Sequence, residues 1–339
     1  MRFTDHLFFS KNGRNNAAHC VLCLLLCGSI PRLVAAQEAA APEKPDAAVR
    51  AQMHNVKYRF SDKVSVQINS LSGAFVPIGS NEFPVFDDKN SFKIRIDTAE
   101  IAISPQDLAN LLNSYVFARP GSPLSGISVA TTPDGHLKVK GRLHDKGDIP
   151  FETQGVLSPT PGGRLRLHSD KVKALHVPVK GLMDAFGIDI ASLIKSGKVP
   201  GVESEENDLL LDLEKILPPP HIEGKVTAVR VEPSTIIQTF GGTDAKPAPK
   251  MASGNYMAFQ GNRLRFGNLT MDDSDIILSD MNPADPLDFF LDHYKEQLAA
   301  GYTKISTSFQ IHAYIKDYEK LSQPKTPAKS KDSKANKKN

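Results

Sequence analysis

The fold is decided by residues 126–194, GISVATTPDGHLKVKGRLHDKGDIPFETQGVLSPTPGGRLRLHSDKVKALHVPVKGLMDAFGIDIASLI. The first part alternates apolar and basic residues, as in Leu137-Lys138-Val139-Lys140, which is the period of a half-buried strand. Two Pro-Gly segments, 133–135 and 158–163, predict turns between strands. After Pro178 the spacing becomes helical, and one apolar stripe holds Val179, Leu182, Met183, Phe186, Ile190, Leu193 and Ile194. The stretch therefore predicts a β-meander followed by an amphipathic helix, with apolar faces that bury each other or leave a space for a ligand.

A similar order precedes this stretch. Alternating residues predict strands over 56–68 and 92–103, with a bulge or bend near Thr98 where the alternation changes parity. Ser104-Pro105-Gln106-Asp107 is a strong helix start, because it combines a capping serine, a first-turn proline and an acid. The predicted apolar stripe of this helix is Leu108, Leu111, Leu112, Tyr115 and Val116.

The rest of the chain adds more strand patterns. Strands are expected over 209–213, 226–231, 235–240 and 264–278, and one long strand over 305–315. A third helix is predicted to start at Asp285-Pro286-Leu287-Asp288. Strands grouped in meanders predict an α+β fold, with a long curved antiparallel β-sheet wrapped around amphipathic helices.

The predicted domain organisation follows shifts in composition. The segments are a signal peptide at 1–36, a flexible leader at 37–54, a curved-sheet domain at 55–240, a linker or loop at 241–254, a strand-helix-strand module extending the sheet at 255–320, and a disordered Lys-rich tail at 321–339.

Composition excludes some classes of function. Hydrophobic residues make up 40% of the chain and charged residues 23%, as in a globular protein. The net charge is +3, but the excess of basic residues lies at the two ends, and the body between them is mildly acidic. A nucleic-acid binder is expected to have a basic body, so no nucleic-acid partner is predicted.

The N-terminus predicts export to the periplasm or cell envelope. Arg2, Lys11 and Arg14 precede a short apolar run, and Ala35-Ala36 provides the small residues of a cleavage site after Ala36. The alternative is a lipoprotein modified at Cys27, although Leu26 departs from the small residue expected before that cysteine.

A search for catalytic and metal-binding patterns predicts none of either. His136, His144, His168 and His176 lack metal-ligand spacing. Ser192-Leu193-Ile194-Lys195 matches an acylating Ser-x-x-Lys by letters, but its central pair belongs to the buried helical stripe. The acidic run 272–275 lacks the glycine and closing glutamate of an EF-hand, so a solvated turn is expected there. No cofactor is predicted.

The apolar stripes predict a binding role. Aliphatic linings suit acyl chains, and the predicted lipid-binding residues are Leu108, Leu111, Leu112, Tyr115, Leu182, Met183, Phe186, Ile190 and Leu193. The expected partner is a phospholipid or other acyl-chain lipid, with membrane-surface contact through the Lys-rich tail. Two alternatives stay open: an envelope scaffold with a fully packed core, and a hydrolase whose nucleophile is not visible in the sequence.

Three runs carry a resemblance to a known family. They are GISVATTPDGHLKVKGRL at 126–143, IPFETQGVLSPTPGGRLRLHSDKVKALHVPVKGLMDAFGI at 149–188, and PPPHIEGKVTAVRVEP at 218–233. In their turns and apolar spacing they resemble the LmeA-like exported bacterial phospholipid-binding proteins, over about residues 92–240. The resemblance implies a fold similar to the tubular lipid-binding proteins of the bactericidal/permeability-increasing kind, and phospholipid binding or transfer. It implies no catalytic residues and does not extend to 255–320.

Overall fold

Two β-sheets form the body of the protein in a computed structural model, which describes residues 47–144, 148–174, 199–205, 207–242 and 249–321. The strands are β1 Val49–Ser61, β2 Val64–Pro77, β3 Phe92–Ile103, β4 Leu124–Thr131, β5 Leu137–Leu143, β6 Ile149–Pro159, β7 Leu165–Ala174, β8 Val202–Glu205, β9 Asp208–Leu211, β10 His221–Glu223, β11 Val226–Glu232, β12 Thr235–Phe240, β13 Tyr256–Gln260, β14 Leu264–Phe266, β15 Leu269–Met271, β16 Asp275–Asp280, β17 Leu287–Phe290, β18 Tyr302–Ile305 and β19 Ile311–Ile315.

The larger sheet has eleven strands, in the order β11-β12-β3-β2-β1-β13-β16-β19-β18, with β10 beside β3 and β17 beside β1. The smaller sheet has six strands in the order β4-β5-β6-β7-β9-β8, all antiparallel. Strands β14 and β15 form a separate two-stranded hairpin.

Helical segments are short in the described part of the chain. Helix α1 spans Pro105–Leu111 and continues as a π-helical turn over Leu112–Val116. Helices α2 and α3 span Leu213–Ile216 and Tyr294–Ala299, and 3₁₀ turns cover Leu291–His293 and Tyr318–Lys320. The α+β class with large antiparallel sheets is therefore present.

The local signals in the sequence explain several of these elements. Gly135 adopts φ of 79° in the 133–135 turn, and its N–H bonds the carbonyl of Thr132 at 3.0 Å. The predicted irregularity near Thr98 is confirmed, because Ser72 pairs with Thr98 and Gly73 pairs with Ile96, which leaves Asp97 as the extra residue of a bulge.

Three sequence-based boundaries differ from the structure. Strand β1 begins at Val49, inside the segment predicted as a flexible leader, because Val49 pairs with Phe75 and is fully buried. The helix predicted to start at Asp285 is wrong in its first turn, since Leu287–Phe290 forms β17, parallel to β1. Pairing with β1 there outweighs a local helix-start signal.

The third difference concerns the last predicted strand. Residues 302–315 form a hairpin of β18 and β19 rather than one strand, because the chain turns between Ser306 and Gln310. Residues 256–315 contribute β13, β16, β17, β18 and β19 to the same sheet as β1–β3. All described residues belong to one compact unit. The predicted helix after Pro178 and the predicted 1–36 signal peptide lie outside the described residues.

Candidate functional site

An apolar cavity of about 100 Å³ lies between the two sheets. Its described walls come from β1–β3, β10 and β12 of the large sheet, from β4–β7 and β9 of the small sheet, and from α1 and α2. Leucine, isoleucine, valine and phenylalanine make up this lining, and Gln238 is the one polar side chain among its described residues. A space of this chemistry favours hydrocarbon over polar ligands.

The side of the cavity formed by the small sheet results from strict alternation of apolar and polar residues along its strands. On β5, Leu137 and Val139 line the cavity. Lys138 and Lys140 point to the other face, where both pair with Glu152 at 2.7 and 3.1 Å. Hydrogen bonds from these lysines lower the pKa of Glu152, and the bond from Lys138 has the larger effect. One face of the sheet is therefore aliphatic and the other is a solvated charge network.

The capped start of α1 fixes one side of the cavity. The hydroxyl of Ser104 accepts the N–H of Asp107 at 2.9 Å, as the sequence predicts. The carboxylate of Asp107 in turn accepts the backbone N–H of Ser65 on β2 at 2.8 Å. Helix α1 is thereby tied to the large sheet.

Asn113 ties the following turn to the small sheet. Its side chain accepts the N–H of Ile127 at 2.8 Å and donates to the carbonyl of Ile127 at 2.6 Å and to that of Ala109 at 2.8 Å. The helix therefore bridges β2 and β4 and sets their separation beside the cavity.

The structure brings three of the predicted lipid-binding residues together. Leu108, Leu111 and Leu112 line the cavity. Tyr115 does not, and its side chain is 36% exposed. It lies in the π-helical turn, whose wider spacing moves a residue off the stripe expected from 3.6 residues per turn. The other five predicted residues, Leu182, Met183, Phe186, Ile190 and Leu193, lie outside the described residues.

Most of the observed lining comes from strands, which the prediction left out. Leu157, Leu165 and Leu167 from the small sheet face Ile101 and Ile236 from the large one. Alternation marks all of these as one-sided positions, but it does not say which strands oppose each other. Gln238 was also missed, since a polar residue within an apolar strand gives no signal of its direction.

A polar groove of about 590 Å³ adjoins the cavity, and Leu213 lines both. Arg95, Arg164 and Lys225 lie along the groove together with four acidic residues, Asp97, Asp212, Glu214 and Glu223. Arg164 pairs with Glu203 at 2.6 Å, and the hydrogen bond that Arg164 donates to this carboxylate raises the pKa of Arg164. The aliphatic space therefore borders a charged, solvent-accessible surface.

A serine–histidine contact that the sequence did not reveal lies on the large sheet. The Oγ atom of Ser279 is 2.7 Å from Nε2 of His312, and Nδ1 of His312 is 3.3 Å from the hydroxyl of Tyr314. Burial is the main cause of the lowered pKa of His312, and the positive charge of Lys304 lowers it further. The two residues are 33 positions apart and meet because β16 and β19 pair in parallel. Neither is among the described lining of the cavity.

Two of the three carboxylates that come together share a lysine counter-ion. Asp280, Asp285 and Asp317 cluster closely enough to hold a cation. Lys320 Nζ lies 2.7 Å from Asp285 and 2.8 Å from Asp317, so a lysine ammonium occupies that role. In the predicted turn at 272–275, Asp272 pairs with Arg263 at 2.6 Å.

The histidines tested for metal spacing each lie beside a different carboxylate where they are described. Each has its own carboxylate: His136 with Asp134 at 3.0 Å, His144 with Asp148 at 2.6 Å and His168 with Asp208 at 2.5 Å. His176 lies outside the described residues.

Comparisons with known proteins give no family. No family model, curated protein or solved structure matches this chain at a significant level. The resemblance to the LmeA-like proteins therefore stays a prediction. Within the described ranges, every helix is too short or too polar to cross a bilayer.

Proposed function

We propose that this protein is a non-enzymatic cell-envelope protein that binds or carries a phospholipid, with acyl chains between its two sheets. The observation that carries the proposal is the lining of the cavity, which is aliphatic and aromatic apart from Gln238 among the described residues. Hydrocarbon is the ligand chemistry that such a wall accommodates without leaving a polar group unpaired.

The groove beside the cavity supports an amphiphile rather than a plain hydrocarbon. A phospholipid needs an apolar compartment for its chains and a solvated, charged one for its headgroup. Leu213 borders both spaces, and Lys225 offers a cation to a phosphate on the polar side, where Arg95 and Arg164 already pair with Asp97 and Glu203.

We propose that the two sheets separate on binding, because the cavity of about 100 Å³ is smaller than ligand pockets, which start at roughly 300 Å³. The expanded space would hold the acyl chain in a tubular lipid-binding arrangement. Export through the predicted signal peptide, to the periplasm or envelope, belongs to the same proposal.

The small volume favours one alternative. A protein with a closed, well-packed core acts as an envelope scaffold and needs no lipid. The two functions differ in what happens when the cavity is filled by mutation, because a scaffold tolerates the filling and a carrier loses its ligand.

The test uses two identical substitutions on the small sheet. Val139→Phe places a ring in the cavity, whereas Val156→Phe places the same ring on the outer face, where Val156 is 42% exposed. The full exported chain is purified, its bound lipid is measured by native mass spectrometry, and uptake of a fluorescent phospholipid is titrated. We expect lipid on the wild type and the Val156→Phe variant, and strongly reduced uptake by Val139→Phe at an unchanged circular dichroism spectrum.

Two results would contradict the proposal. One is a wild-type protein that carries no lipid and takes none up. The other is equal uptake by the two valine variants, which would place any bound lipid outside the cavity.

A further inference from the structure

The β18–β19 hairpin exposes large apolar side chains at its tip. Strand β18 is the last strand in the order of the large sheet, and the hairpin turns over Ser306–Gln310. Ile305 is 67% exposed and Phe309 is 84% exposed, which are the two highest values among the large hydrophobic residues described. Neighbouring exposed apolar residues at a loop tip mark an interaction site more often than isolated ones do.

Phe309 also adopts a backbone conformation that disfavours it. Its φ is 63°, in the left-handed region, and its N–H bonds the carbonyl of Ser306 at 3.0 Å. In a short hairpin loop this position is normally occupied by glycine. A bulky residue there is strained, and a ring that is exposed as well gains little from packing on its own protein. A contact outside the chain would account for keeping phenylalanine at this point.

Amphipathic residues lie directly behind the tip. Tyr302 and Tyr314 are cross-strand partners with stacked rings 4.6 Å apart. Lys304 Nζ lies 5.5 Å from the ring centre of Tyr302 and 5.4 Å from that of Tyr314. Tyrosine and lysine favour the polar boundary of a membrane, where a ring or a methylene stem meets lipid and the polar end meets water.

The charged residues of the hairpin and of the chain beside it, Lys304 and Lys316, are both basic. Residues 297–316 include Lys304 and Lys316 and contain no aspartate or glutamate. The polar residues of the tip itself are Thr307, Ser306 and Ser308, which are uncharged. Asp275 on the neighbouring strand β16 lies beside the tip, where its carboxylate accepts a hydrogen bond from the Gln310 side chain at 3.0 Å.

We propose that this hairpin docks the protein onto an anionic lipid surface, with Phe309 and Ile305 inserted among the lipids and Tyr302, Tyr314 and Lys304 at the headgroup level. The described lining of the apolar cavity includes no residue of β18 or β19, so docking does not depend on acyl-chain binding in that cavity.

The absence of tryptophan from the sequence makes a direct test possible. Phe309→Trp gives the full chain a single tryptophan, at the tip, and Leu269→Trp gives a matched one on the β14–β15 hairpin, where Leu269 is 47% exposed. Each is mixed with vesicles of phosphatidylcholine alone or with added phosphatidylglycerol. We expect the emission of Phe309→Trp to shift to shorter wavelength on anionic vesicles and to be quenched by brominated acyl chains, and that of Leu269→Trp to stay unchanged.

A second variant separates docking from folding. Phe309→Gly relieves the left-handed strain, so its thermal midpoint should not fall, while its partition onto anionic vesicles should fall roughly tenfold with loss of the buried ring. Measurements at low and high salt separate this contribution from adhesion by the Lys-rich tail, because screening removes the latter.

Three outcomes would overturn the proposal. The wild type does not bind anionic vesicles, or Phe309→Gly binds as strongly as the wild type, or the two tryptophan variants respond alike. A protein that elutes as a dimer, and becomes a monomer on Phe309→Gly without any vesicle binding, would instead assign the hairpin to contact with a second copy.

Discussion

Two regions of the interior are filled in different ways. One is the ring cluster, defined here as Phe75, Phe86, Phe92, Phe259, Phe266, Phe289 and Tyr294. The other is the cavity between the sheets, which leucine, isoleucine and valine dominate. Both belong to one continuous hydrophobic core. The ring cluster joins the large sheet to Phe266 on β14 and Tyr294 on α3, and the cavity lies where the large sheet faces the small sheet.

The ring cluster is tightly interlocked. Phe86 alone has ring contacts with five neighbours, at centroid distances from 4.4 Å to Phe266 up to 6.3 Å to Phe75. Rings prefer definite tilted or edge-on arrangements, so they hold their neighbours in fixed positions.

Buried polar bonds hold the same region. Gln297 is fully buried and bonds the carbonyls of Asp288 and Lys316, each at 2.8 Å. Arg59 donates two hydrogen bonds of 2.5 and 2.7 Å to the Asp288 carboxylate, and this hydrogen bonding raises the pKa of Arg59. The cavity has Gln238 alone among its described polar lining. Directional contacts therefore fix one region, while the other relies on non-directional contacts that can rearrange around a ligand.

The largest expected effect is the loss of a ring from the cluster. Phe86→Ala should lower the free energy of unfolding by about 3–5 kcal/mol, because five neighbours cannot all move into the space. Urea denaturation measures it. Leu157→Ala at the cavity is the comparison variant, and a loss there equal to or greater than that of Phe86→Ala would contradict the contrast between the regions.

The second-largest loss of stability is expected from removal of the buried carboxylate of Asp288. Asp288→Ala leaves the Arg59 guanidinium, only 14% exposed, without its main partner. We expect a loss of about 3 kcal/mol, at the low end for a broken buried pair, because Glu319 still lies 3.2 Å from Arg59. Replacing Glu232, whose partner Arg230 is 60% exposed, is the surface control and should change stability little, because solvent screens the pair.

Adding one methylene group should change the stability of the protein in opposite directions in the two regions. Val139→Ile extends into the cavity and should stabilise the protein by up to about 0.8 kcal/mol. Val49→Ile, at a fully buried position opposite Phe75, should destabilise it by about 1–3 kcal/mol through overpacking. Thermal unfolding of the two variants measures both effects. If both variants are less stable than the wild type, the cavity wall cannot accept added volume.

The smallest expected effect depends on pH. The pKa of His312 is lowered by burial, so the unfolded chain takes up a proton near pH 6.5 while the folded chain takes it up only at a lower pH. Stability should therefore fall as the pH drops below about 6.5, through the folded pKa. His312→Gln should reduce this fall, as measured by urea denaturation on both sides of pH 6.5. The difference between variant and wild type is what counts, since the chain has ten histidines.

The sequence predicted the local features well where a local cause acts. The capping of α1 by Ser104, the 133–135 turn and the bulge beside Thr98 follow from side-chain hydrogen bonding, from glycine conformation and from a change in alternation. It failed at Asp285–Asp288, where a good helix-start signal yields a strand because a neighbour is available to pair with. It also placed Tyr115 on the apolar stripe, because a π-helical turn has no clear signature in composition.

The sequence by itself determined which residues are one-sided. The alternation of Leu137, Lys138, Val139 and Lys140 fixes two faces of a strand, whatever lies opposite. Only the tertiary structure decided what the apolar face meets, which is the inner face of the large sheet through Ile101 and Ile236. The reason is physical: side-chain period is a property of the local backbone, whereas the pairing of faces depends on contacts between residues far apart in the chain.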